Sequence, residues 1–262
     1  MSRTFVTSSF SYFVRTDGSD SNTGLVDSAG GAFSTYGRAM TAVAALDFNN
    51  LIVTVCAGTE SGVKTFSEDI VVPSLVGGGQ LWITGNGSSA NTVLSATGDG
   101  IQGRQVGATS VNIDKIKIVS SSGNGVQALG QSIFNIKGVN FGACGSAHMS
   151  AHDNQSTILV LNNTTGLTIS GGASAHLWAQ AGAVIFYESN SPTISGSPAF
   201  SSAFALATAN AYIQASANTY TGSATGLQYF VNLGAMIAVL SGGNFPTSTA
   251  GAADTASFGY YS

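Results

Sequence analysis

Charge is scarce in this chain of 262 residues. Asp, Glu, Lys and Arg together make up 8% of it, against roughly a quarter in an average soluble domain. The eight Lys/Arg residues are scattered and the net charge is -4, so no basic stripe is available to neutralise phosphates. Nucleic acid is therefore not expected as a partner. Basic residues stop at Lys137, and only Asp153, Glu188 and Asp254 carry charge beyond it. A solvated surface of that length ordinarily carries charge, so part of it is expected to be covered by other chains. Long apolar runs are missing too. Gly, Ser, Thr or Asn interrupts every apolar stretch before it reaches a membrane span, so no membrane insertion is expected. The opening Met1-Ser2-Arg3-Thr4-Phe5-Val6 lacks the apolar core of a signal peptide, which implies assembly in a cytoplasm. Only Cys56 and Cys144 are present, in small, apolar surroundings that suit free thiols. The 34 glycines follow no G-X-Y period, which excludes collagen. An apolar fraction of 44% is enough to fold.

What the chain has in quantity is short strand signals. Runs such as Leu51-Ile52-Val53-Thr54-Val55, Leu81-Trp82-Ile83-Thr84 and Ile133-Phe134-Asn135-Ile136 lie between Gly/Ser/Asn/Thr clusters. Further on, Ile158-Leu159-Val160-Leu161, Val184-Ile185-Phe186-Tyr187, Ala211-Tyr212-Ile213 and Met236-Ile237-Ala238-Val239 each lead through a polar corner to a second short strand. The repeat is roughly 25 residues, the length of one coil of a parallel β-helix. One coil cannot bury its apolar side alone, whereas coils stacked about 4.8 Å apart pair their backbones and share a core. The fold expected is all-β: a single-stranded, right-handed parallel β-helix, the hand following from parallel crossovers. One helix is expected over 36–46, with Ser34 or Thr35 as its cap and Met40, Val43 and Leu46 on one side. It is well placed to cover the open end of the solenoid. Residues 1–50 thus form a strand, turn and capping helix, and residues 51–262 the β-helix with its closing segment. Cys56 and Cys144 lie several coils apart, beyond the reach of a disulfide.

Two segments resemble known proteins. Tyr12-Phe13-Val14-Arg15-Thr16-Asp17-Gly18-Ser19-Asp20-Ser21-Asn22-Thr23-Gly24, followed by Ala32-Phe33-Ser34-Thr35 and the helix, resembles the opening of bacteriophage tail-spike and tail-fibre β-helices. Gly242-Gly243-Asn244-Phe245-Pro246-Thr247-Ser248-Thr249-Ala250-Gly251, with Phe258-Gly259-Tyr260, resembles the last coil and ending of β-helical phage and prophage proteins. The resemblance implies a virion structural protein, a homotrimer assembled in the host cytoplasm, with other virion proteins as partners. It also implies a role in host attachment, with a host-surface glycan as a further partner. Almost no chain precedes the β-helix to form a particle-binding head. Tail fibre, tail spike, baseplate element and capsid decoration therefore stay open, as do a polysaccharide depolymerase on the same fold and a secreted adhesin.

Candidate sites are few. Asp17, Asp20 and Asn22 form an oxygen-rich turn but lack EF-hand spacing and its closing Glu, so they are expected to shape the turn rather than hold calcium. His148, His152, Asp153 and His176 include neither H-E-x-x-H nor a cysteine at ligand spacing, and they read as polar residues at exposed or lightly buried corners. His176 lies about one coil beyond His148. No metal or cofactor is expected. Glycan cleavage needs two carboxylates about 5 to 10 Å apart. The available pairs are Asp99 with Asp114 and Asp153 with Glu188, and catalysis is not expected from either. Gly77-Gly78-Gly79 reads as a turn. Trp82, Trp178, Tyr187, Tyr212 and Tyr220 suit sugar stacking, but core or intersubunit packing is the favoured reading, for Tyr212 and Tyr220 above all. Several late strands are apolar at every position rather than at alternate ones. Their outward members, drawn from Leu159, Leu161, Phe186, Tyr187, Phe230 and Met236, are the expected interface between copies. The three-fold symmetry comes from the resemblance alone.

Overall fold

The structure, a computed structural model, describes residues 3–107, 109–161, 166–240, 245–253 and 259–261. The side chain of Leu161, Asp254, most of the Gly242-to-Asn244 segment and Phe258 lie outside them. The chain coils into a parallel β-solenoid with three faces. Every pairing among the described strands is parallel. The first face holds ten strands, from Phe10–Val14 through Ile52–Ala57, Gln80–Thr84, Ser110–Asp114, Ile133–Ile136, Thr157–Leu161, Val184–Glu188, Tyr212–Ser216 and Met236–Ala238 to Tyr260–Tyr261. The second holds six, from Lys64–Phe66 to Thr193–Ile194, and the third ten, from Ile70–Val72 to Ala252–Ala253. After the first coil, stacked partners lie between 22 residues apart (Phe230 to Ala252) and 31 (Ile70 to Ile101), which brackets the repeat expected from the sequence.

Alternation explains the core. Val53, Leu81, Val111, Phe134, Ile158, Ile185, Ile213 and Ile237 form one unbroken inward column along the first face, all fully buried. Burial of each such side chain contributes about 1.5–3 kcal/mol. The intervening residues point outward. The late strands keep the same in-and-out order despite their apolar sequence: Ile158 and Val160 are buried while Leu159 is half-buried, and Ile185 and Tyr187 are buried while Phe186 is half-buried.

The helix spans Tyr36–Ala44, with Thr35 as its N-cap accepting from the Arg38 amide. It stops two residues short of the expected end, because Leu46–Asp47 pairs with Thr4–Phe5 as a small strand. Met40 and Val43 face the core. Glu68, from the turn before the first strand of the third face, accepts from the free amides of Tyr36 and Gly37 at 2.8 Å each. Asp20 accepts from the amides and hydroxyls of Ser34 and Thr35. Asp17 pairs with Arg15, and Asn22 donates to the carbonyls of Ala29 and Ala32. The acidic turn thus spends its side chains on three separate local tasks. Both cysteines are free, Cys56 on the first face and Cys144 on the second.

Candidate interaction surface

The outward residues form columns, one residue per coil. On the first face, Thr54, Trp82, Asn112 and Asn135 lead to Leu159 and Phe186, then to Gln214 and Ala238. The early members are tied by polar contacts. The Asn135 amide donates to Asn112 Oδ1 at 3.3 Å, the Trp82 indole donates to Gln80, and Lys137 Nζ sits 4.5 Å from the centre of the Trp82 ring. A flanking column runs Thr157, Val184, Tyr212, Met236, Tyr260. Phe186 and Tyr212 meet edge-on at 6.3 Å, and Tyr260 is 57% exposed. Leu159, Val184, Phe186, Tyr212 and Met236 therefore make a continuous apolar patch over the late coils. Its charge is Glu188, which accepts from Gln214.

The third face has its own column: Val71, Gln102, Gln127 and Ser150, then Trp178, Leu206, Phe230 and Ala252. Leu206 packs with Trp178 and Phe230 over Ala147 and Ala175, forming a cluster separate from the main core. The second face is polar in the same coils. Asn140, Thr168 and Thr193 share a column there, and Ser170 donates to Asn140 at 2.7 Å. The first and third faces share an edge, built from the corner segments 181–183, 209–211 and 232–235. Ala181, Gly182, Ala209, Asn210, Leu233 and Gly234 adopt left-handed backbone there. A Cβ on Gly182 would lie 2.0 Å from Asn154 Oδ1, so a side chain there would have to displace Asn154.

Of the residues the sequence nominated, Leu159, Phe186, Phe230 and Met236 lie on these outer faces. Tyr187 does not. It stacks between Val160 and Ala215, fully buried, because it follows inward-facing Ile185 by two positions. It is a core residue, which corrects its nomination as an interface residue. The carboxylate pairs stay apart. Asp153 precedes Thr157–Leu161 while Glu188 stands opposite Leu161 at that strand's far end, so roughly 16 Å of strand separates them. Asp153 instead pairs with Arg104 at 3.3 Å and His152 at 2.6 Å. Asp99 lies at the corner before Ile101–Arg104 and bonds Asn124, whereas Asp114 closes Ser110–Asp114 on the first face and accepts from Gly138.

His148 and His176 also depart from expectation, since both are fully buried rather than at exposed corners. Each begins a pair of consecutive buried residues, with Met149 and Leu177, where the strand bends into the third face. Their Nδ1 atoms are 2.9 Å apart, so one ring donates and the other accepts. His176 packs on Phe204 of the next coil at 4.8 Å. Around the pair stand Phe141, Phe200 and Tyr187. Burial depresses the His148 pKa to about 4 and that of His176 well below its usual value, with His148 adding to the latter effect. Both rings are neutral at pH 7. Among the described residues no group of three or more His, Cys, Asp or Glu side chains is placed to hold a metal.

The ridge on the third face escaped sequence reading. Trp178 to Leu206 is one 28-residue coil step, and Ser150 to Trp178 another, but the strand lengths that set those steps are not written in any motif. No protein-family model, curated protein or solved structure matches the chain.

Proposed function

We propose that this chain is a non-catalytic structural protein of a bacteriophage particle, a β-helical fibre, spike or other surface component, which self-associates as a homotrimer and contributes to host attachment. The observation that carries the self-association is the apolar outer surface of the late coils: Leu159, Phe186, Tyr212 and Met236 stand outward in a stretch without Lys or Arg. All four are half-buried, and partly exposed apolar area of that continuity is characteristic of interaction sites. The phage setting and the number three are supported by the opening and closing segments that resemble tail-spike and tail-fibre proteins. A binding role rather than a cleaving one is supported by the separation of Asp153 from Glu188 along a strand. Host-surface glycan and other virion proteins are the partners this reading assigns.

Molar mass in solution by light scattering, with glycan-release assays on host polysaccharide, tests the reading. Three chains per particle and no release of reducing ends or unsaturated sugars are expected. A monodisperse monomer defeats the assembly, and sugar release defeats the non-catalytic role.

A further inference from the structure

The first and third faces of the solenoid carry apolar residues in the late coils, the second face is polar, and the two apolar faces meet at one edge. From this juxtaposition we infer that the contact between copies is heterologous: the first face of one copy, at Leu159, Phe186 and Met236, packs on the third face of the next, at Trp178 and Phe230, which flank the buried Leu206, with their shared edge turned toward the symmetry axis. This inference rests on the homotrimer proposed above and names the surfaces that would build it.

The argument starts from symmetry. In a ring of three, each copy offers one surface to one neighbour and a different surface to the other. A two-fold pair needs only a single self-complementary patch, and a second apolar face would stay exposed. The columns match a ring. Phe186 on the first face and Trp178 and Leu206 on the third belong to successive coils of the same stretch, since Val184–Glu188 follows Ala173–Gln180 and precedes Ala199–Thr208. The two patches therefore lie at the same height along the solenoid, as side-by-side packing of parallel copies requires.

Size points the same way. Four coils at about 4.8 Å and strands of five residues at about 3.3 Å give each patch roughly 300 Å² of plan area. A ring of three covers both patches of every copy, roughly 600 Å² of plan area per chain, where a two-fold pair covers only one. The edge itself suits close approach. Its outermost residues at 181–182 and 209–210 are Ala, Gly, Ala and Asn, none of them charged. Charged side chains are depleted from interface centres, and across the two patches only Glu188 is charged. Its carboxylate already accepts from Gln214.

The test uses the whole chain with Phe186→Asp on one face and Trp178→Asp on the other. Circular dichroism checks that each folds. Thr157→Asp and Gln180→Asp, at outward polar positions of the same faces, serve if either larger change unfolds the chain. Each single variant is expected to lose the trimer and run as a monomer, with association weakened by at least about 30-fold. The decisive experiment mixes the two variants in equal amounts. The intact first face of the Trp178→Asp chain and the intact third face of the Phe186→Asp chain can pair once, so a mixed dimer forms at high concentration. A trimer that survives Trp178→Asp, or a mixture with no mixed species, overturns the pairing of the first face with the third while leaving the homotrimer standing. A wild-type monomer removes both.

Discussion

The early and late coils of this solenoid share one backbone plan and one apolar core, and differ in the side chains added inside and outside it. From Ile52 to Lys137 the interior is aliphatic, with Val53, Val55, Leu81, Ile83, Val111 and Ile113 fully buried, and the outward columns carry Thr54, Asn112, Asn135, Gln102 and Gln127. All eight Lys/Arg residues lie at or before Lys137. Beyond it the core takes in His148, His176 and Tyr187, while Leu159, Phe186, Trp178 and Phe230 move outside. Stacked strands supply the same backbone hydrogen bonds in both regions, so backbone pairing does not explain the difference. The difference lies in what each region presents outward. The early coils present a surface suited to water. The late coils, with a histidine pair and larger aromatic rings added to an apolar core and half-buried apolar residues outside, suit a surface that something else covers.

Truncation inside and outside the wall is the strongest way to break this comparison. Phe134→Ala empties a fully buried site and is expected to cost about 3–5 kcal/mol in urea unfolding. Phe186→Ala, measured at dilutions where the chain is monomeric, should cost about 1 kcal/mol or less. Equal losses would show that Phe186 belongs to the core of its own chain.

Acid comes next, because the buried histidine pair belongs to the late coils. The His148 pKa is lowered to about 4 by burial, against roughly 6.5 in an unfolded chain. The unfolded state therefore binds more protons below pH 6.5. Stability is complete above that pH, falls as pH drops toward 4, and levels once His148 titrates in the folded chain. His148 alone accounts for about 3 kcal/mol across that window, and His176 shifts in the same direction. A His148→Leu/His176→Leu chain should lose this dependence in stability measured from pH 7 to pH 4. An unchanged pH profile would place the pair outside the folded core.

The smallest effect sharpens the contrast in the interior. The Tyr187 hydroxyl is buried and meets no hydrogen-bonding partner among the described residues. Tyr187→Phe removes the desolvated hydroxyl and keeps the ring. Thermal unfolding should show a change within about 1 kcal/mol, toward greater stability. A loss larger than that would reveal a bond to the hydroxyl.

The solenoid was legible in the sequence because its signal is additive: one apolar pair per strand, repeated at each coil, with Gly and Asn at the corners. The helix was legible for a local reason, the capping threonine before an amphipathic turn. Inward and outward assignment was harder. In Val184-Ile185-Phe186-Tyr187 every residue is apolar, so the pattern carries no phase, and only stacking on Ile158 and Val160 fixes which two point in. The same gap hid the histidines. His148 follows Ala147 and precedes Met149, and where a strand bends, two successive residues turn inward, which no period of two predicts. The ridge of Trp178, Leu206 and Phe230 depends on register across three coils of unequal length.

The spacing of stacked partners also bears on how the chain folds. After the first coil, each new strand finds its neighbour 22 to 31 residues back, so these coils need no contacts between distant parts of the chain. The exception is the join from Phe10 to Val53, which spans the capping helix. Loop-closure entropy grows only with the logarithm of length, and a 43-residue loop costs about half a kcal/mol more than one of 25. Folding can then start at any coil and spread in both directions like a zipper, with the cap docked at little kinetic expense. By the same logarithm, a corner such as 85–91 could lengthen severalfold at a cost of about 1 kcal/mol, so the corners are where such a chain can acquire new loops without losing its frame.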